Sequence, residues 1–184
     1  MKKFPVILGA FLFSMLVLLL GYISFGIWTT LIFTAGFLGG FILWLWFPTN
    51  ASFHSIKIPF WITFAVFLVH RVEEKMTGFF KAMAEITGTP VPEITSMPVI
   101  SLILVSVVAW LAAPYLMRRG YAWGYYLVWT FFASMGITEL AHFIFPFFTG
   151  KKFGYFPGMI SVLLLAPCAW WGMLKLYKSN MQQN

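Results

Sequence analysis

The sequence has few charged residues and contains no aspartate. Only 9% of its 184 residues are charged, whereas charged residues make up about a quarter of an ordinary soluble domain. The mean hydropathy of +0.88 is correspondingly high. Its single cysteine, Cys168, excludes an intramolecular disulfide and a cysteine-rich metal site. Since only helices satisfy their backbone polar groups locally in lipid, the composition predicts an all-α integral membrane protein.

Six apolar stretches are long enough to cross a bilayer, which takes about 20 residues. Proline, glycine and polar residues separate these stretches. We therefore predict one domain, residues 1–184, that forms a bundle of six transmembrane helices. Small residues in the second stretch, Gly36, Gly39 and Gly40, predict close approach of a neighbouring helix. The predicted spans are residues 5–23, 27–47, 58–83, 99–117, 123–145 and 157–177.

The basic residues predict the orientation of the chain. Lysine and arginine outnumber acidic residues 12 to 5, and an excess of Lys and Arg marks the cytoplasmic side of a membrane protein. We therefore expect no nucleic-acid partner. Six spans put both termini on one side, which is predicted to be cytoplasmic in a multi-pass protein of a bacterial-type cell membrane. That side carries Lys2, Lys3, Lys57, Arg118, Arg119, Lys175 and Lys178, whereas the other side carries Lys81, Lys151 and Lys152.

Two polar clusters interrupt the apolar runs. His70, Glu73 and Glu74 lie in the third predicted span, and Glu139 and His142 lie in the fifth. Helical residues three and four apart share a face, so His70 is expected beside both Glu73 and Glu74. The third and fifth spans run parallel, and both clusters fall in the middle to outer part of the bilayer. We therefore predict that the two clusters form one buried polar site.

The residue types in these clusters favour a metal site. Each charge at mid-membrane costs at least about 2.5–3.5 kcal/mol, so the three glutamates need protons, cations or a metal. Zinc is commonly held by two histidines and a carboxylate, and paired helical Glu-x-x-His elements hold iron or manganese in bundles. We expect one or two divalent ions, zinc first and iron or manganese as alternatives. The predicted ligands are His70, Glu73, Glu139 and His142, and Glu74 with Glu73 are the predicted catalytic carboxylates.

Other interpretations of the same residues remain open. Without a metal, buried glutamates and histidines can hold protons and act by general acid–base catalysis. In another interpretation, the third helix ends near Val69 and the polar residues after it lie at the membrane interface. In a further one, Glu139 and His142 form a hydrogen-bonded pair with a purely structural role. Thr77 continues the His70 face and is predicted to border the site. Arg71 is assigned to the outer interface or to a carboxylate on a neighbouring helix.

The segment 70–74, His-Arg-Val-Glu-Glu, resembles the signature of the HXXEE-domain family of small multispanning membrane proteins. Glu139-x-x-His142 and the segment 155–158, Tyr-Phe-Pro-Gly, are similar to the second half of that family, and the resemblance covers about residues 53–171. The family's function is uncharacterised. The resemblance implies the same five polar positions, and it implies that Tyr155 and the following Pro157-Gly158 border the site.

Together these features predict a hydrolase-like, metal-dependent membrane enzyme that acts on a lipid or another hydrophobic small molecule. A proton- or cation-coupled transporter or binding protein is the first alternative, and a metal-free acid–base isomerase is the second. The expected partners are membrane lipids and the hydrophobic substrate. The sequence does not determine the oligomeric state.

Overall fold

The computed structural model describes residues 4–47 and 51–181, with side chains up to Ser179. Within these residues the regular secondary structure is all helical and has no strand, as predicted. Two 3₁₀ helices, Thr138–Phe143 and Phe145–Phe148, separate the last two α-helices. The α-helices are α1 (Phe4–Trp46), α2 (Phe53–Thr77), α3 (Phe79–Thr87), α4 (Met97–Arg118), α5 (Ala122–Gly136) and α6 (Met159–Met181).

Helix α1 folds back on itself at Gly26. This glycine has φ 77° and ψ −177°, a conformation outside the helical region. The ring centroids of Phe11 and Phe41 are 5.9 Å apart, although residues so far apart along a straight helix would be separated by about 45 Å. The two halves of α1 therefore form a hairpin, with its reversal between the predicted spans 5–23 and 27–47.

Four helices, α1, α2, α4 and α6, are long and apolar enough to cross a membrane. Each of them exposes large apolar side chains, such as Leu12, Val108 and Leu163, and a surface of this kind suits lipid better than water. These features suggest a membrane protein. The finer assignment of six spans with cytoplasmic termini stays a prediction, and Lys2 and Lys3, which contribute to it, lie outside the described residues.

Two predicted spans end earlier than expected. The third was predicted to run to residue 83, but α2 ends at Thr77 because Gly78 adopts a left-handed conformation, with φ 80°, and donates its N–H to the Glu74 carbonyl. The fifth was predicted to run to residue 145, but α5 ends at Gly136. The Trp170 indole N–H donates a hydrogen bond of 2.7 Å to the Gly136 carbonyl oxygen. The chain then continues as a 3₁₀ helix.

The bundle has two chemically different ends. At the end that we call the basic end, α1 finishes, α2 starts, and α4 and α6 finish. Here the Phe47 and Tyr177 ring centroids are 5.3 Å apart, and the Arg118 guanidinium lies 5.1 Å from the Phe53 ring centroid. At the opposite end, which we call the glutamate end, α2 finishes and α6 starts at Met159, two residues later than predicted.

Helix α5 lies at the centre of the bundle and packs against α1, α4 and α6. Its buried Tyr126 hydroxyl lies 2.7 Å from Ser14 Oγ on the first half of α1. The second half of α1 approaches α5 backbone to backbone, because a Cβ added at Gly40 would lie 2.5 Å from the Thr130 Cα. Gly39 faces open space instead. Of these two adjacent glycines, only Gly40 is needed for the predicted close approach.

Replacement of Gly40 by alanine is therefore expected to destabilise the bundle. The added methyl group meets the α5 backbone and forces the helices apart, and overpacking of this kind costs about 1–3 kcal/mol. Thermal unfolding in detergent, followed by circular dichroism, measures the change in Tm. Gly39→Ala is the matched control and should leave Tm unchanged or raise it, since alanine is the better helix former. Equal losses of stability in the two variants would contradict the close packing.

Candidate metal centre

Four buried side chains from two segments meet at the glutamate end. His70 and Glu74 come from α2, and Glu139 and His142 come from the 3₁₀ helix Thr138–Phe143. One ligand atom from each lies within 4.8 Å of the other three. Their relative exposures are only 0%, 3%, 8% and 2%. The predicted meeting of the two polar clusters is therefore confirmed.

The nitrogen–oxygen distances between the donor atoms have the length expected between ligands of a tetrahedral ion. Glu139 Oε2 lies 3.2 Å from Nε2 of His70 and 3.2 Å from Nε2 of His142. Glu74 Oε1 lies 3.5 Å and 3.4 Å from the same two nitrogens. Ligands around a tetrahedral zinc, with bonds of about 2.0–2.1 Å, are about 3.3–3.4 Å apart. The four nitrogen–oxygen distances bracket this separation.

The local backbone explains why each pair converges. His70 and Glu74 are four residues apart on an α-helix and share a face. Glu139 and His142 were predicted on an α-helix but lie on a 3₁₀ helix, which has three residues per turn. Side chains three apart are eclipsed on such a helix, so these two project from the same side of the segment. The end of α5 at Gly136 thus sets the geometry of the second pair.

The outer nitrogen of each imidazole is held by a defined partner. His142 Nδ1 lies 2.6 Å from the Pro157 carbonyl oxygen, which can only accept, so this nitrogen carries a proton. His70 Nδ1 lies 2.8 Å from Ser161 Oγ. The Ser161 hydroxyl has one proton and donates it to Glu73, so His70 Nδ1 is the donor to Ser161. A neutral ring at either position therefore directs the Nε2 lone pair into the centre.

Lone pairs on nitrogen facing carboxylate oxygens require a positive species between them. That species is a second proton on a ring or a metal cation. Charge-assisted N–H···O bonds are usually about 2.7–2.9 Å long, and the observed 3.2–3.5 Å is longer. Glu74 Oε1 is buried and has no hydrogen-bond partner in the described part of the chain. A divalent cation at the centre fits both the spacing and this unsatisfied oxygen.

Arg71 completes the site from the side opposite the imidazoles. Its Nη1 lies 2.7 Å from Glu74 Oε2, and its Nη2 forms an ion pair with Glu139 Oε1. The guanidinium therefore bridges the outer oxygens of both carboxylates and leaves the inner oxygens for the centre. Arg71 was expected either at the outer interface or beside a carboxylate of a neighbouring helix, and the structure shows the second. Its spacing of three residues from Glu74 is the sequence signal for this pairing.

Glu73, a predicted ligand, does not join the four converging residues. It is three residues from His70 rather than four and faces the start of α6. There its carboxylate accepts hydrogen bonds from the backbone N–H groups of Ile160, at 3.2 Å, and Ser161, at 2.8 Å. A carboxylate at a helix N-terminus satisfies N–H groups that lack partners within the helix. Glu74 instead takes the position that was predicted for Glu73.

Tyr155 and Thr77, both predicted to border the site, lie beside Glu73. The Tyr155 hydroxyl donates to Glu73 Oε1 at 2.7 Å. Burial and this hydrogen bond raise the pKa of the Tyr155 phenol, so it remains a donor at neutral pH. The Thr77 hydroxyl donates to the Glu73 carbonyl at 2.7 Å. Tyr155 therefore ties the loop before α6 to α2, whereas the Thr77 hydroxyl bonds within α2.

Gly158 packs directly against both imidazole rings. A Cβ at this position would lie 2.5 Å from His142 Cε1 and 2.9 Å from His70 Cε1, and its φ is +95°. The family resemblance implied that Gly158 borders the site, but contact with both rings was not predicted. Phe79 forms another wall, with its ring centroid 5.0 Å from that of His142. No spacing rule in the sequence connects either residue to the histidines.

The fold and site define a helical protein of membrane type with a buried centre of two histidines and two glutamates bridged by an arginine. Residues 61–172, more than half of the chain, match the family described as "protein of unknown function with HXXEE motif". The chain belongs to this family, which confirms the resemblance seen in the sequence. Comparison with curated proteins and with solved structures found no match.

Replacement of Gly158 by alanine is expected to disrupt the centre. The methyl group would displace both rings, and displaced ligands bind zinc at least about tenfold more weakly, as in supporting-shell mutations. Gly150→Ala is the matched control, because Gly150 also has positive φ, +68°, but its Cβ would meet nothing within 4 Å. Isothermal titration with Zn²⁺ compares the two variants. A zinc affinity that falls equally in both would contradict the ring contact.

Proposed function

We propose that this protein is a membrane enzyme whose chemistry depends on one divalent metal ion held by His70, Glu74, Glu139 and His142. The observation that carries the proposal is the inward direction of both Nε2 lone pairs, set by Pro157 and by the Ser161 hydroxyl. Metal-binding histidines usually donate their other ring N–H to such outer partners. The metal, when bound, supplies Lewis acidity for a polar bond of the substrate.

A catalytic metal needs a coordination position for the substrate. Both carboxylates contact both imidazoles and Arg71, but Glu74 does so at longer distances. Its inner oxygen lies 3.5 and 3.4 Å from the two Nε2 atoms, against 3.2 Å for Glu139, and it has no hydrogen-bond partner among the described residues. Glu74 would therefore be the weaker of the two carboxylate ligands, and its carboxylate is the one placed to accept a proton as a general base.

The surroundings favour a hydrophobic substrate with a polar group. The Arg71 side chain is 41% exposed, whereas the four ligands are buried, so the centre is approached past this guanidinium. The neighbouring side chains of Val69, Val72 and Met76 on α2 are exposed and apolar. A lipid or another hydrophobic small molecule that places a polar group beside Arg71 fits this surface.

Charge balance is compatible with a divalent ion and also with one protonated imidazole. Two carboxylates and the Arg71 guanidinium leave one negative charge at the centre. A divalent cation converts this to one positive charge, whereas a single imidazolium would make the centre neutral. Zinc suits the tetrahedral spacing, and iron or manganese would accept additional ligands from a substrate.

A second candidate function is metal-free proton handling, either in acid–base catalysis or in proton-coupled transport. The specific observation in its favour is the hydrogen-bonded chain from exposed Tyr155 through Glu73 and Ser161 to His70 Nδ1. Such a chain connects the surface with the buried centre. The Arg71 charge also allows one protonated imidazole to neutralise the carboxylates. A metal analysis separates the two candidates.

Elemental analysis of the purified protein is expected to find about one equivalent of zinc, iron or manganese, because one set of four ligands is present. His70→Ala/His142→Ala should lose the metal, and Glu74→Gln should weaken its binding. Glu85→Gln is the matched control, since this exposed carboxylate on α3 lies outside the ligand set and the hydrogen bonds that position it. Metal retained in the double histidine variant would rule out this centre. No metal in any protein, even after metal is added back, would favour proton handling.

Zinc addition to the metal-free protein is expected to release about one proton per ion near neutral pH, because the imidazolium that balances the carboxylates must lose its proton to bind metal. A pH-indicator dye in weakly buffered detergent solution measures the release. Glu85→Gln should release a similar amount, whereas His70→Ala/His142→Ala should release none. Zinc binding at the intact centre without proton release would contradict the proposed charge balance.

A further inference from the structure

A separate cavity of about 430 Å³ opens at the basic end, between the start of α2 and the end of α4. Phe53 and Met117 form its buried floor. His54, Lys57 and Arg118 line it with exposed polar side chains. The residues of the His/Glu centre do not line this cavity.

The cavity is positively charged and lacks acidic counterparts. No ion pair in the described part of the chain involves Lys57 or Arg118. The five glutamates of the sequence are residues 73, 74, 85, 93 and 139, and they lie in the other half of α2 and in segments at the glutamate end. Two cations without carboxylates at a cavity favour binding of an anion.

The guanidinium geometry favours a phosphate group in particular. Arg118 lies 5.1 Å from the Phe53 ring centroid, and this stacking holds the planar fork at the wall of the cavity. Arginine forks match the oxygen pairs of phosphate, and lysine adds a compact charge. Lys57, one helical turn from Phe53, lines the same cavity.

The position of the cavity favours a lipid over free phosphate. It lies where two membrane-length helices end, at the level of the headgroups if they cross a bilayer. Exposed apolar side chains continue from it, Ile58 and Trp61 on α2 and Leu111 and Tyr115 on α4. We propose that the cavity binds the phosphate of an anionic phospholipid through Lys57 and Arg118, with the acyl chains along α2 and α4.

Native mass spectrometry of the full-length, delipidated protein in nonionic detergent tests the site. The probes are phosphatidylglycerol, phosphatidylcholine and inorganic phosphate. Phosphatidylglycerol is expected to bind more tightly than the other two. Lys57→Gln/Arg118→Gln should weaken its binding by at least about tenfold, since basic residues near the surface each contribute to anionic-lipid affinity. The charge-conserving Lys57→Arg, which leaves the Arg118 fork on the Phe53 ring in place, should keep most of the affinity.

Lys175→Gln/Lys178→Gln is the matched control, because it removes the same charge from exposed positions on α6 at the same end. It should change phosphatidylglycerol binding less than about threefold. Equal weakening in the two glutamine pairs would mean general attraction to a basic surface and would overturn the site. Phosphatidylcholine or inorganic phosphate bound as tightly as phosphatidylglycerol would also overturn it. If the Lys57→Gln/Arg118→Gln protein loses its helical circular dichroism, the single variant Lys57→Gln tests the site instead. Its affinity for phosphatidylglycerol is expected to fall about fivefold.

Discussion

The structure depends on the burial of two carboxylates in an apolar bundle. An ionised carboxylate removed from water is strongly destabilising unless it is paired and hydrogen-bonded. Here the Arg71 guanidinium binds the outer oxygens of Glu74 and Glu139, and both inner oxygens face the imidazoles of His70 and His142. Each charge limits the position of the others, so α2 and the 3₁₀ helix after α5 have to meet in one register.

A third segment, the start of α6, positions the rings. It supplies the Pro157 carbonyl to His142 and the Ser161 hydroxyl to His70, and Gly158 lies against both imidazoles. Glu73 ties this segment to α2 by accepting the N–H groups of its first turn. The adjacent glutamates of the family motif thus have different roles: one faces the centre and the other attaches the helix that orients the histidines.

The separation of charge along the bundle gives its two ends different chemistry. The His/Glu centre and its arginine occupy one end, where α3 and the aromatic side chains around His142 cover the centre. The other end presents lysine and arginine without carboxylates. Between them lies an interior of close helix contacts, such as that of Gly40 with α5. Both polar regions are therefore attached to a rigid apolar scaffold, as precise ligand geometry requires.

The sequence by itself determined the helical class, the apolar surfaces, the family and the meeting of the two polar motifs. These follow from composition and from helical periodicity, which are local properties. Periodicity also placed Glu73 and Glu74 on either side of His70, but it could not choose between them. That choice depends on the rotation of α2 about its axis, which packing against α5 and α6 sets.

Tertiary structure alone decided the rest of the site. Glu139 and His142 lie on a 3₁₀ helix because α5 ends at Gly136, where the Trp170 indole N–H donates a hydrogen bond to the Gly136 carbonyl. These two residues are 34 positions apart. Arg71 reaches Glu139 across 68 positions, and Ser161 reaches His70 across 91. Such long-range pairs leave no periodic signal in a single sequence, because their partners become neighbours only when the helices pack.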